Sequence, residues 1–159
     1  MSKNEILLAF LMSMLFSSSF ADYISGQREY VSGNYESAIT EWTPVAEDGN
    51  ARAQYNLGWM HANGKGTAQD FKEAIEWYKK TLALDCWQQE KFYAAYMVGV
   101  LEQQSDNICN AMSYYLLTLT YDPKRWEGLY FAIQHLLTSK QDNLANILIS
   151  GIDITNTIN

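Results

Sequence analysis

The chain has 159 residues, 48% of them apolar, with 2 prolines and 9 glycines. This suffices for one folded domain with a core and argues against a disordered chain. The formal net charge of −7 repels nucleic acid and leaves no polybasic patch for anionic lipid.

The first element reads as a secretory signal peptide over residues 1–21. Lys3 supplies a short positive region, Ile6 to Phe16 is an apolar run broken only by Ser13, and Ser19-Phe20-Ala21 places small residues where a signal peptidase reads them. Asp22 is then the expected mature N-terminus, in a periplasm or outside the cell. An uncleaved membrane anchor would need about 20 apolar residues, more than this run supplies. No cysteine lies near the cleavage point, so a lipid anchor is not expected, and nothing later in the chain resembles a membrane span.

Residues 22–150 carry an internal repeat. Tyr35/Ala38/Trp42 recurs as Phe71/Ala74/Tyr78, a third copy carries Ala111 and Tyr115, and a faded fourth carries Ala145 and Ile149. The small anchors Ala38, Ala74, Ala111 and Ala145 fall 36, 37 and 34 residues apart. Residues at i, i+3 or i+4 and i+7 share one helix face, so aromatic, alanine and aromatic make a ridge with a dip that another helix can approach. Each copy also has an upstream helix with its own small residue, Gly26, Gly58 and Gly99, and less clearly Ile133.

The pattern predicts antiparallel helix pairs at 23–32 with 35–48, 51–63 with 70–84, 90–104 with 108–121, and 124–138 with 141–150. One such pair cannot bury both its faces, so the pairs must stack. The expected fold is all-α, an α-solenoid of about four helix pairs, the last a degenerate cap. Residues 151–159 are expected to be a flexible C-terminal tail that frays.

Ala53-Gln54-Tyr55-Asn56-Leu57-Gly58-Trp59-Met60-His61-Ala62-Asn63-Gly64-Lys65-Gly66, followed by Gln69-Asp70-Phe71-Lys72-Glu73-Ala74-Ile75-Glu76-Trp77-Tyr78-Lys79-Lys80, resembles a Sel1-like repeat almost position for position. His61 stands where that family often has tyrosine. The Asn-Gly-Lys-Gly turn is the most specific piece, since its glycines can take positive φ between two helices. Copies one and three lack this turn and are similar in spacing to the tetratricopeptide repeat. The resemblance runs over about residues 23–150, strong in copy two and weakest in copy four. It implies a protein-binding scaffold, not an enzyme.

No pattern of catalytic or cofactor-binding residues emerges. His61 and His135 have no carboxylate or cysteine at ligand spacing, so no metal site is expected. Cys86 and Cys109 are the only cysteines, and the expected compartment permits a disulfide. However, they flank helix 90–104, whose fifteen residues rise about 22 Å, whereas bridged Cα atoms lie about 4.4–6.8 Å apart. The acidic pairs Glu73 with Glu76 and Glu47 with Asp48 read as solvated faces. Gly64-x-Gly66 lacks the strand and third glycine of a phosphate loop.

The aromatic load, with 5 tryptophans, 11 tyrosines and 6 phenylalanines, exceeds what the ridges use. In stacked pairs the first helices line a concave surface. Positions between their packing residues are Gln27 and Tyr30 in copy one, Arg52, Asn56, Trp59 and Asn63 in copy two, and Tyr93, Met97 and Val100 in copy three. This mixed aromatic, methionine and amide strip, with Arg52 its one charge, has the residue types that interfaces favour. The expected protein-binding residues are therefore Tyr30, Arg52, Asn56, Trp59, Asn63, Tyr93 and Met97. The expected function is an exported adaptor that holds a protein or peptide in its groove, as a monomer or weak dimer. The rivals are an inhibitor or immunity-type regulator of a cell-wall enzyme, and an enzyme acting on wall glycan or peptide.

Overall fold

A computed structural model describes residues 23–86, 88–122, 124 and 130. The expected signal peptide, the fourth helix pair with His135 (apart from Lys124 and Tyr130), and the tail 151–159 lie outside the described residues. Among the described residues all regular structure is helical. Residues 23–31 form α1, followed by α2 (Tyr35–Glu47), α3 (Ala51–Asn63), α4 (Phe71–Ala83), α5 (Gln88–Gln104) and α6 (Ile108–Tyr121). Neighbouring helices pack in pairs, the arrangement of an α-solenoid. The chain divides into two compact units between Leu84 and Asp85, so α1–α4 belong to the first and α5–α6 to the second.

The anchors expected from the repeat are where each pair closes. Ala38, Ala74 and Ala111 are buried. The aromatic four residues further along each second helix is buried with them: Trp42 is 1% exposed, Tyr78 0% and Tyr115 2%. Each of these rings lies against the glycine of its first helix, Trp42 on Gly26, Tyr78 on Gly58 and Tyr115 on Gly99. A glycine weakens a helix interior by about 1 kcal/mol relative to alanine. Here that cost is offset by burial of a whole aromatic side chain, worth roughly 1.5–3 kcal/mol.

In the first unit α3 is the central helix, packed on both α2 and α4. Its burial accordingly follows two stripes, Ala53, Leu57 and Met60 on one and Gln54, Gly58 and Ala62 on the other. Ala38, Trp42, Val45 and Ala46 of α2 meet Ala53, Leu57, Met60 and Trp77 in one core, with Tyr23, Tyr30, Tyr35, Ile39 and Trp59 packed against it. In the second unit Ala111 and Tyr115 of α6 pack with Tyr96 and Val100 of α5.

The links explain where the helices stop. Gly33 and Gly49 close α1 and α2 at φ +82° and +91°, conformations that favour glycine. The α1–α2 and α5–α6 turns are copies of one another. Ser32, Gly33 and Asn34 donate to the carbonyls of Arg28, Tyr30 and Glu29, and Ser105, Asp106 and Asn107 donate to those of Leu101, Gln103 and Glu102. The side chains repeat too. Asn34 Nδ2 donates to Glu29 at 2.9 Å and Asn107 Nδ2 to Glu102 at 2.9 Å. These asparagines are thereby drawn away from their own helices, and neither caps the helix it precedes.

The α3–α4 link is longer and differs in kind. Gly64 and Gly66 both have positive φ, as the Asn-Gly-Lys-Gly turn predicts. Asn50 caps α3 and Asp70 caps α4 through side-chain oxygens. Gln69 Nε2 donates to the Ala62 carbonyl at 2.8 Å, satisfying an acceptor in the last turn of α3. The turn also folds back on α2. A Cβ at Gly66 would stand 2.5 Å from the Tyr35 carbonyl carbon, and Lys65 Nζ lies 5.4 Å from the Tyr35 ring centroid.

Candidate functional site

The expected binding strip can be located residue by residue. Tyr30 at the end of α1 meets Trp59 of α3 edge to face, with ring centroids 5.9 Å apart and an interplanar angle of 76°. Tyr30 also leans on Trp42 at 5.6 Å and on Tyr35 at 5.5 Å. Gln27, Tyr30, Trp42, Tyr55, Asn56 and Trp59 together line a recess of about 280 Å³. Trp42 forms its floor, held by donation from its Nε1 to the Tyr23 carbonyl at 3.0 Å.

The polar groups at the recess are joined through Tyr23. Asn56 Nδ2 donates to the Tyr23 hydroxyl at 3.3 Å, and that hydroxyl donates to Gln27 Oε1 at 3.4 Å. This relay fixes two carboxamides from different helices beside two aromatic rings. It uses neither N–H of the Gln27 amino group nor the second N–H of Asn56. Among the described residues no charged side chain lines the recess.

Within the first unit the structure thus brings Tyr30, Asn56 and Trp59 together and leaves Arg52 and Asn63 outside the recess. Arg52 is exposed in the first turn of α3, and Asn63 is exposed in its last turn, where Nδ2 donates to the Trp59 carbonyl at 2.8 Å. Neither lines the recess. Tyr93, 36% exposed, and half-buried Met97 are on α5 in the second unit. Trp59 and Tyr30 are half-buried, so the strip is not a row of projecting side chains, because each ring lies partly on the core beneath it. Sequence reasoning placed Gln27 on this face but missed Tyr23, Tyr55 and Trp42. Tyr23 stands four residues before Gln27, one helical turn away, and that spacing is the signal that could have found it.

Two buried phenols in the second helices have raised pKa values. Desolvation is the larger cause for both, with Tyr55 adding to it at Tyr78 and Tyr96 at Tyr115. The Tyr115 hydroxyl donates to Gln103 Oε1 at 2.7 Å, whereas the Tyr78 hydroxyl is buried with no partner. The repeat accounts for the difference. Aligning Gly58 with Gly99 puts Ala62 where copy three has Gln103. Cys86 and Cys109 are thiols, and burial pushes the Cys86 thiol up, away from the thiolate a nucleophile needs. Among the described residues no three His, Cys, Asp or Glu side chains converge as metal ligands. No helix among them is long and apolar enough to cross a membrane.

The family model of the Sel1 repeat matches residues 51–86. The match takes in α3, the two-glycine link and α4, the segment that supplies Tyr55, Asn56 and Trp59 to the recess.

Proposed function

We propose that this chain is an exported protein-binding adaptor and that the recess between α1 and α3 is where it holds its partner. Sel1 repeats serve generally as non-catalytic scaffolds for protein–protein interaction, and the match over residues 51–86 supports that reading here. The observation that carries the location is the recess itself. Half-buried Trp59 and Tyr30 present aromatic surface whose order is already fixed by packing, beside Gln27 and Asn56. Such rigid aromatic anchors lose little conformational entropy on binding and dominate interface energetics. Export rests on the order of charged, apolar and small residues over 1–21.

The binding surface is tested by recovering partners with the mature protein and with Trp59→Ala, after thermal melting shows that both are folded. Loss of a partner with the variant supports the recess. Equal recovery of every partner removes it. N-terminal sequencing of the protein from fractionated cells tests export, with Asp22 as the expected first residue.

A further inference from the structure

The recess has a composition that discriminates between ligands. Its walls are aromatic, none of its described lining residues is charged, and its polar groups are unequally divided between donors and acceptors. Gln27 Oε1 is already taken by Tyr23, and one Asn56 N–H is used on the Tyr23 hydroxyl. The groups left without partners are both N–H bonds of Gln27 Nε2, the second N–H of Asn56 and the indole N–H of Trp59. Against these donors stand the Asn56 carbonyl oxygen, which only accepts, and the Tyr30 and Tyr55 hydroxyls, which both donate and accept. The site is therefore rich in donors and lined with ring surfaces.

We propose that the recess binds a proline-rich segment of the partner in the polyproline II conformation, an inference that rests on the adaptor reading above. A proline has no backbone N–H, so such a segment offers the site mainly carbonyl acceptors, which match surplus N–H donors. In polyproline II the backbone makes no internal hydrogen bonds and its carbonyls point outward. The Tyr30 and Trp59 rings, set at 76° with centroids 5.9 Å apart, form the two sides of a notch. A pyrrolidine ring is compact, apolar and restricted by ring closure, so it packs on such walls at little entropic cost. A volume of about 280 Å³ is at the lower edge of the ~300–1,000 Å³ of small-molecule pockets, which suits one or two side chains of a longer ligand.

A glycan is the other ligand that aromatic walls suggest. Each of its hydroxyls carries a donor as well as acceptor lone pairs, so a glycan brings donors that a lining with few acceptors leaves unmet, whereas a proline backbone brings none. Among the described lining residues an acidic peptide finds no cation, and a basic one no carboxylate.

The experiment titrates the mature protein with three probes: a blocked ten-residue oligoproline, a glycine–serine peptide of equal length, and an N-acetylglucosamine oligomer. Binding is read by tryptophan fluorescence and by NMR shifts of the Trp59 indole and the Gln27 and Asn56 side-chain amides. Saturable binding of oligoproline below about 1 mM is expected, with shifts at these groups and none from the other two probes. Trp59→Ala should weaken it at least about tenfold, as for an anchor residue. Gln27→Ala, which leaves the core intact, should weaken it severalfold, so the inference does not depend on the tryptophan variant folding. No oligoproline binding at 1 mM, or binding indifferent to Gln27→Ala and Trp59→Ala, overturns the inference, as does preference for the glycan. The adaptor reading fails separately. If a purified partner perturbs the Trp59 indole through a segment without proline, the adaptor stands and the proline inference falls. If a purified partner leaves the recess unperturbed, both fall.

Discussion

The Tyr78 ring lies directly on the backbone of Gly58. A Cβ built on that glycine would stand 2.8 Å from Cε1 and 2.9 Å from Cδ1 of the ring. The same relation holds between Gly26 and Trp42, and between Gly99 and Tyr115, where the built Cβ would stand 2.6 Å from the ring. One contact therefore joins the two helices of each described pair, and it sets how closely they approach.

Gly58→Ala puts a methyl group into the ring of a fully buried tyrosine. Helix propensity favours alanine by about 1 kcal/mol, but overpacking a closed core costs about 1–3 kcal/mol, so a net loss of stability is expected. Urea denaturation of the single variant and of Gly58→Ala with Tyr78→Leu checks this. A smaller loss in the double variant than the sum of the two singles places the clash at this contact. Additive losses would refute it.

Removing the hydroxyls of Tyr78 and Tyr115 should have opposite effects. The Tyr78 hydroxyl is buried without a partner, so Tyr78→Phe relieves an uncompensated desolvation and leaves stability equal or up to about 1 kcal/mol higher. Tyr115→Phe loses the bond to Gln103 and should cost about 0.5–1.5 kcal/mol. The ordering of the two denaturation midpoints is the measurement, and the reverse ordering would contradict the assigned partners.

Alkaline pH should act on the same two groups. Burial raises both phenols above their ordinary value of 10.0, so the folded state holds these protons more tightly than the unfolded chain. Their contribution to stability is fully present below about pH 10 and is lost as the pH rises through the folded values. The denaturation midpoint of the native protein should fall more steeply between pH 9.5 and about 11 than that of a Tyr78→Phe/Tyr115→Phe variant. Parallel curves would refute the linkage.

Asp106 occupies in the α5–α6 turn the place that Gly33 holds in the α1–α2 turn, with φ +63° against +82°. The left-handed conformation costs an L-residue roughly 1–2 kcal/mol, less for aspartate, which tolerates it better. Asp106→Gly should therefore stabilise the protein by about 0.5–1 kcal/mol after allowing for glycine's greater freedom when unfolded. Gly33→Ala should destabilise it. Thermal or urea unfolding checks both signs.

The amino-acid sequence by itself determined the helical class and the first three helix pairs. Those assignments rest on short-range physics that a sequence carries openly: the three-to-four-residue period of buried side chains, glycines where helices end, and the Ala38/Trp42 and Ala74/Tyr78 spacing. The periodicity also put Arg52, Asn56, Trp59 and Asn63 on one stripe of α3. Eleven residues of helix rise about 16 Å, however, and only the middle of that stripe lies opposite Tyr30. Which stripe residues line a recess was decided by where α1 crosses α3. That crossing is held by Tyr23, which meets Trp42 at a sequence separation of 19 and Asn56 at a separation of 33. The tertiary structure likewise decided that Tyr78 lacks a partner while Tyr115 has Gln103. Periodicity marks a face as buried, but a hydrogen bond depends on which side chain the opposing helix places within 3 Å.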